Sequence, residues 1–135
     1  RYPLADIVGQ MQAVRESHKA DPHASGMALH LTSEKDGNSD AAHPTIKLAM
    51  NSLDAGKVQR PHRHNSVALT LPIQSEGVYS VIEGNRLNWQ QYALMITPPA
   101  ELHEHHNEGE EMMLSLVVQD GGLYFRARTI GFSFD

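Results

Sequence analysis

The feature that most constrains this chain is a pair of histidine clusters, Pro61-His62-Arg63-His64 and Leu102-His103-Glu104-His105-His106, each set in sequence that reads as β-strand. Side chains at i and i+2 of a strand leave the same face about 7 Å apart, so His62 and His64 offer two imidazoles side by side to the inside of a sheet. A third imidazole from another strand would close a metal site. Taken alone, a His-x-His pair is explained equally well by an exposed strand edge or by core histidines bonded to carbonyls. The second cluster changes that balance, because His103 opens a later strand of the same small β-domain.

Composition narrows the partners and the donor set. A chain of 135 residues with 40% hydrophobic content suits one domain. Eleven basic against sixteen acidic residues leave a net charge of −5 with no basic stripe, which argues against nucleic acid and against an anionic membrane surface. The expected partner is a small molecule. Zero cysteines exclude disulfides and thiolate ligation, so a metal here is held by nitrogen and oxygen. Apolar runs such as Ala93-Leu94-Met95-Ile96 are too short to span a bilayer, and no basic segment leads into an apolar run at the N-terminus. The expectation is a soluble, cytoplasmic protein.

The periodicity changes once along the chain. Leu4, Ile7, Val8, Met11 and Val14 fall at helical spacing behind Pro3, predicting an amphipathic helix over 4–18. Residues 19–44 read as a loop-rich connector with one short strand around Met27 to Leu31. From Thr45 onward short strands alternate with turn chemistry. They are expected at Ile46 to Leu53, Val67 to Leu71, Val78 to Ile82, Arg86 to Gln90, Tyr92 to Ile96, Glu101 to His106 and Glu111 to Val118, with His62 and His64 opening one more. The breaks include Asp54-Ala55-Gly56, Glu83-Gly84-Asn85 and Asp120-Gly121-Gly122. So many short strands argue for an all-β fold, a small antiparallel jelly-roll barrel. Residues 1–44 form a helix and connector packed on it, and 45–135 form the barrel.

The stretch from Ala55 to His64 followed by Val78 to Gly84 resembles the first conserved motif of the cupin superfamily, whose fold is a double-stranded β-helix. Ile96-Thr97-Pro98-Pro99-Ala100-Glu101-Leu102-His103-Glu104-His105 resembles the second. More narrowly, the chain over roughly residues 1 to 130 is similar to one cupin half, especially the C-terminal half, of the gentisate, salicylate and 1-hydroxy-2-naphthoate dioxygenases. Arg1-Tyr2-Pro3-Leu4, Asp21-Pro22, Pro44-Thr45-Ile46, Asn88-Trp89 and Thr97-Pro98-Pro99 carry that narrower likeness.

The resemblance implies that His62, His64 and His103 are ligands of one divalent ion, iron(II) first, with nickel, zinc or manganese as the other candidates. The glutamate that many cupins place four or five residues after the second histidine is absent, since those positions are Ala68 and Leu69, as in the all-histidine set of the ring-cleaving enzymes. Three departures stand beside this likeness. The arginine that the family's catalytic half carries six residues after the second histidine, where it grips a substrate carboxylate, is Thr70 here. The strand Met112 to Val118 lacks the family's aspartate, and the family enzymes join two cupins in one chain.

Around the ion, His105, Gln59, Thr70, Tyr79 and Trp89 are the further candidates for the cavity lining. His105 shares a face with His103 and reads as a fourth ligand, a proton shuttle or, more simply, a rim histidine bonded to Glu104, Glu108 or solvent. Arg63 lies between two inward histidines and so turns outward to a surface salt bridge; His106 points away from the interior. Two functions remain open. One is a three-histidine iron dioxygenase acting on a small gentisate- or salicylate-like acid, and the other is a non-catalytic module that binds a small ligand or metal. Unpaired sheet edges predict a homodimer.

Overall fold

A computed structural model describes residues 1–18, 26–32 and 42–135. Its elements are α1 (Leu4–His18), β1 (Met27–His30), β2 (Lys47–Leu53), β3 (Val58–His64), β4 (Ala68–Gln74), β5 (Val78–Ile82), β6 (Asn85–Asn88), β7 (Met95–Thr97), β8 (His103–Asn107), β9 (Met113–Gln119), α2 (Gly121–Ala127) and β10 (Phe132–Phe134). Every strand pairing is antiparallel. One five-stranded sheet runs β1-β2-β9-β4-β7 and the other β10-β3-β8-β5-β6. Strands that follow one another in the chain repeatedly lie in opposite sheets, which is the connectivity of a double-stranded β-helix. The expected jelly roll with an N-terminal helix is what the chain forms.

Strand alternation divides β2 between two environments. Leu48 and Met50 face outward and pack with Ile7 and Met11 of α1 and with Leu29, Leu31, Ile73, Leu114 and Leu116. Lys47, Ala49 and Asn51 face the interior between the sheets. The helix therefore covers the outside of the first sheet rather than plugging the barrel. Its apolar stripe is narrower than the periodicity predicts, since Val8 remains 43% exposed while Ile7 and Met11 are buried. At one end of the interior Leu53, Val78, Trp89 and Met113 close the core.

Several local features depart from the expected pattern for identifiable reasons. His62 and His64 close β3 instead of opening a strand, because β3 runs through Pro61 by way of a register shift between Gln59 and His62 in its pairing with β8. A bulge spares proline the ladder hydrogen bond that it cannot donate. β4 likewise continues through Pro72, again at a register shift. The β5–β6 turn places Glu83 and Gly84 at φ of 46° and 79°, the left-handed pair of a tight two-residue hairpin.

Asp120-Gly121-Gly122, expected as a break, instead starts α2. Gly122 fits there because a Cβ would lie 2.8 Å from the Thr45 backbone. Beyond α2 the chain doubles back as β10 along β3, pairing Phe132 with His64 and Phe134 with His62. Short exposed segments of this kind carry no periodicity of their own, and the sequence alone did not reveal them. Among the described residues, no helix is long and apolar enough to cross a membrane.

Candidate metal centre

The bulge in β3 decides which of its residues face inward. Simple alternation would separate Gln59 from His62, three positions on, but the extra residue resets the phase. Gln59, His62 and His64 therefore line one cavity of about 240 Å³ between the sheets, with His103 and His105 entering from β8. Thr70 of β4, which is buried, borders it from the opposite sheet.

His62, His64 and His103 form a compact group whose ligand nitrogens all lie within 4.8 Å of one another. The nitrogens of two imidazoles held by one ion at about 2.1 Å stand about 3–4 Å apart, so small ring rotations bring the group onto a common centre. The second nitrogen of each ring sets its tautomer. Nδ1 lies 2.9 Å from the Arg60 carbonyl in His62, 2.8 Å from the Ser66 carbonyl in His64 and 2.9 Å from the Glu101 carbonyl in His103. A carbonyl only accepts, so each Nδ1 carries the proton and each Nε2 keeps its lone pair for the cavity.

At His64 that lone pair faces the Gln119 amide at 3.4 Å, a long contact that leaves room for a stronger partner. Burial lowers the pKa of His62 and brings that of His103 down to about 4, with the neighbouring imidazoles adding to the effect. Neutral rings with converging lone pairs are the donor set a divalent borderline cation needs.

His105 belongs to the same cavity but carries the opposite tautomer. The Trp89 indole N–H donates to Ser80 Oγ at 2.7 Å, and because His105 Nδ1 at 2.8 Å is the one acceptor within reach of the Ser80 hydroxyl among the described residues, the hydroxyl donates to it. Nδ1 therefore accepts, and Nε2 is left as an N–H donor. Burial, followed by the four neighbouring imidazoles of His103, His62, His64 and His106, lowers its pKa to about 3. His105 is thus neither a rim residue nor a bonded partner of Glu104 or Glu108, and it stands outside the three-nitrogen group. Its chemical capacity is to donate a hydrogen bond to an anionic oxygen beside the triad.

The other candidates separate. Trp89 packs in the core and also borders an inner chamber of about 80 Å³ behind His105, together with Gln59, Thr70, Asn51 and Ser115. Asn51 Oδ1 and Ser115 Oγ, cross-strand partners there, are buried without a protein hydrogen bond. Tyr79 was expected in the lining, but its ring lies on the outer face of the second sheet. It stacks on His106 at 4.5 Å, the Arg86 guanidinium sits 3.6 Å over the ring, and its hydroxyl donates to Glu108 at 3.0 Å. His106, as expected, faces away from the interior and meets Glu104 at 3.2 Å. Arg63 also faces out, donating to the Ala100 carbonyl and pairing with Asp135.

Residues not anticipated from sequence complete the mouth. Phe132 of β10 stacks on His62 with ring centroids 5.5 Å apart, and the Asn65 amide clamps the segment before it by donating to Thr129 O and accepting from Gly131 N. Lys47 and Gln119 border the cavity from β2 and β9. The signal for Lys47 was its two-residue phase with Ala49 and Asn51, readable only once the inward face of β2 is known.

No family model matches the chain. A 5-aminosalicylate 1,2-dioxygenase from Comamonas sp. is 36% identical over 66 residues, which is 47% of this chain and 18% of that protein. A gentisate 1,2-dioxygenase from Haloferax sp. is 27% identical over 116 residues, 86% of this chain and 31% of that protein. A 1-hydroxy-2-naphthoate 1,2-dioxygenase from Nocardioides sp. (strain KP7) is 31% identical over 98 residues, 70% of this chain and 25% of that protein. The chain spans less than a third of the length of these curated relatives.

In fold it matches the crystal structure of a salicylate 1,2-dioxygenase from Pseudaminobacter salicylatoxidans with a TM-score of 0.83 at 22% identity, over 95% of this chain and 37% of that one. It matches the Cnp3 cupin domain of Schizosaccharomyces pombe with a TM-score of 0.59 at 15% identity, over 78% and 72% of the two chains. The chain carries the cupin fold, and it resembles one cupin half of the gentisate, salicylate and hydroxynaphthoate dioxygenases.

Proposed function

We propose that this chain is a metal-binding cupin of dioxygenase type, with His62, His64 and His103 holding one iron(II) ion and a small gentisate- or salicylate-like acid as its substrate. The single observation that carries this reading is the shared tautomer of the three histidines, each with Nδ1 on a backbone carbonyl, together with the gathering of their ligand nitrogens within 4.8 Å of one another. Such a centre, when loaded, supplies a Lewis-acidic ion with vacant positions for an oxygen-donor ligand and O₂. Nickel, zinc and manganese fit the same nitrogen donors, so the choice of iron rests on the dioxygenase relatives.

The protein's own residues do the rest. The cavity lies between the two sheets, His105 offers its Nε2–H to an anionic oxygen, and Phe132 stacks on the ring of His62 at the mouth. We further propose a homodimer in the cytoplasm, from the need to pair exposed sheet edges, with residues 1–44 as helix and connector and residues 45–135 as the barrel.

A second reading is favoured by a specific feature. Thr70 stands where the resembling enzymes carry a carboxylate-gripping arginine, and the strand Met112 to Val118 is uncharged, as in a cupin that binds its ligand or metal without turning it over. Metal analysis of protein purified without added metal, followed by oxygen uptake with gentisate, salicylate and 1-hydroxy-2-naphthoate, separates the two. Iron with ligand-dependent oxygen uptake supports the enzyme. Bound iron that is inert toward all three supports the binding module, and protein that takes up no divalent ion under any loading condition overturns both metal readings.

A further inference from the structure

The cavity beside the histidine triad has a marked charge asymmetry. Among the described residues lining it there is no aspartate or glutamate, and the only lysine or arginine is Lys47. A pocket with one cation and no carboxylate favours an anionic occupant, and an added divalent ion strengthens that preference.

The position of Lys47 follows from sheet register. It pairs directly with Gln119 of β9, so the two side chains leave the same face as neighbours. Gln119 reaches to within 3.4 Å of His64 Nε2. The lysine, with a longer stem rooted on the next strand, therefore works from the row of the sheet that already touches the triad. No carboxylate among the described residues pairs with its ammonium, which instead lies 5.6 Å from the centre of the Phe125 ring. Its stem runs against Gly121, where a Cβ would meet Lys47 Cδ at 3.4 Å, so the start of α2 limits the side chain's travel on that side.

Thr70 sits one rung further along the same inner face, with Val117 between it and Ala49. A short neutral side chain there cannot neutralise a carboxylate. We propose that Lys47 is the anion-positioning residue of this cavity, gripping the carboxylate of the ligand from β2 and taking the part left empty by Thr70 on β4. This inference rests on the aromatic-acid reading above and deepens it. The carboxylate is held from the Gln119 side of the triad, and the rest of the ligand extends along the same inner face toward Val117 and Thr70.

The test compares salicylate with salicylamide, which keeps the ring and hydroxyl but carries no charge. Calorimetric titrations are run anaerobically on metal-free and iron(II)-loaded protein, for the parent and for Lys47→Met and Lys47→Arg. Lys47→Met is expected to weaken salicylate by about tenfold or more while leaving salicylamide unchanged, since one charge-assisted contact is lost. Lys47→Arg is expected to restore most of the affinity, and in the metal-free protein rising salt is expected to erode salicylate binding in the parent and in Lys47→Arg but not in Lys47→Met.

Equal salicylate affinity in the parent and Lys47→Met overturns the proposal, as does an equal loss for both ligands or an absence of salicylate binding in both protein forms. Metal stoichiometry, measured on the same samples, reads the triad separately. A parent that binds salicylate in a Lys47-dependent way but takes up no ion would sink the metal centre and leave the anion site standing.

Discussion

Ser80 Oγ lies 2.8 Å from His105 Nδ1 and accepts the Trp89 indole N–H at 2.7 Å, so a three-residue relay running in one direction fixes which nitrogen of His105 holds its proton. The metal-facing histidines are fixed the other way, by carbonyls. Two populations of imidazole in one cavity, one set of acceptors and one donor, are what distinguish holding an ion from holding an anion beside it.

The relay predicts a spectroscopic signature. Nitrogen-15 correlation spectra of metal-free protein at neutral pH should show His105 protonated at Nε2 and His62, His64 and His103 protonated at Nδ1. Ser80→Ala should remove the bias at His105 and leave Trp89 Nε1–H and His105 Nδ1 buried without partners. Each orphaned group costs about 1–3 kcal/mol, so a clear fall in urea midpoint is expected. A His105 that keeps its tautomer in Ser80→Ala would show that something other than the hydroxyl sets it.

Removal of any one of the three ligands should release the ion. His64→Ala and His103→Ala are each expected to reduce metal content to background after dialysis, with affinity down by about a hundredfold or more. His105→Ala should leave metal stoichiometry unchanged, because its ring stands outside the three-nitrogen group. Elemental analysis of the three variants decides the ligand set, and full occupancy in either ligand variant would show that it has been wrongly chosen.

Acid should destabilise the metal-free protein over a defined window. The folded-state pKa values of His103 and His105 are lowered to about 4 and about 3 from the ordinary 6.5 of histidine, mainly by burial, and that of His62 is lowered as well. Below pH of about 6.5 the unfolded chain binds protons that the folded chain refuses, so stability present above that pH is lost progressively down toward about 4. Urea unfolding in the presence of chelator, between pH 7.5 and 4.5, should show stability rising with pH over this range, with a shallower slope in His103→Gln. An unchanged slope in that variant would place the pH dependence elsewhere.

The mouth of the cavity depends on one amide. Asn65 donates to Thr129 O at 2.7 Å and accepts from Gly131 N at 3.0 Å, tying the last segment to the residue next to His64. Asn65→Ala is expected to raise hydrogen exchange across residues 129–134 while leaving β5 and β9 protected. Uniform loosening of the whole barrel would argue against a local clamp.

The order of elements was largely legible from residue patterns. Val78 to Ile82 reads as a strand from its apolar and β-branched residues and the turn after it, and β5 has those bounds. The α1 periodicity likewise marks 4–18, although its apolar stripe is narrower than spacing alone suggests, because Ile7 and Met11 are buried against the sheet while Val8 stays 43% exposed. Residues 19–25 and 33–41 of the expected connector lie outside the described residues.

Other features could not be read locally. The phase of Gln59 relative to His62 turns on a bulge defined by β8, and α2 and β10 exist through contacts with Pro44 to Ile46 and with β3. Tyr79 was expected in the cavity because alternation marks two faces without saying which one is inside.

By itself, then, the sequence determined the strand periods, the cysteine-free nitrogen and oxygen donor set and the His-x-His spacing, all properties of residues within a few positions of each other. Only the tertiary structure decided that His105 is a donor while its neighbours are acceptors, and that Lys47 and Gln119 share a row beside the triad. The tautomers of the three ligands are set by carbonyls two residues away, but the tautomer of His105 and the cavity walls are set by partners dozens of residues away. Chain closure brings those partners together, and no local pattern records them.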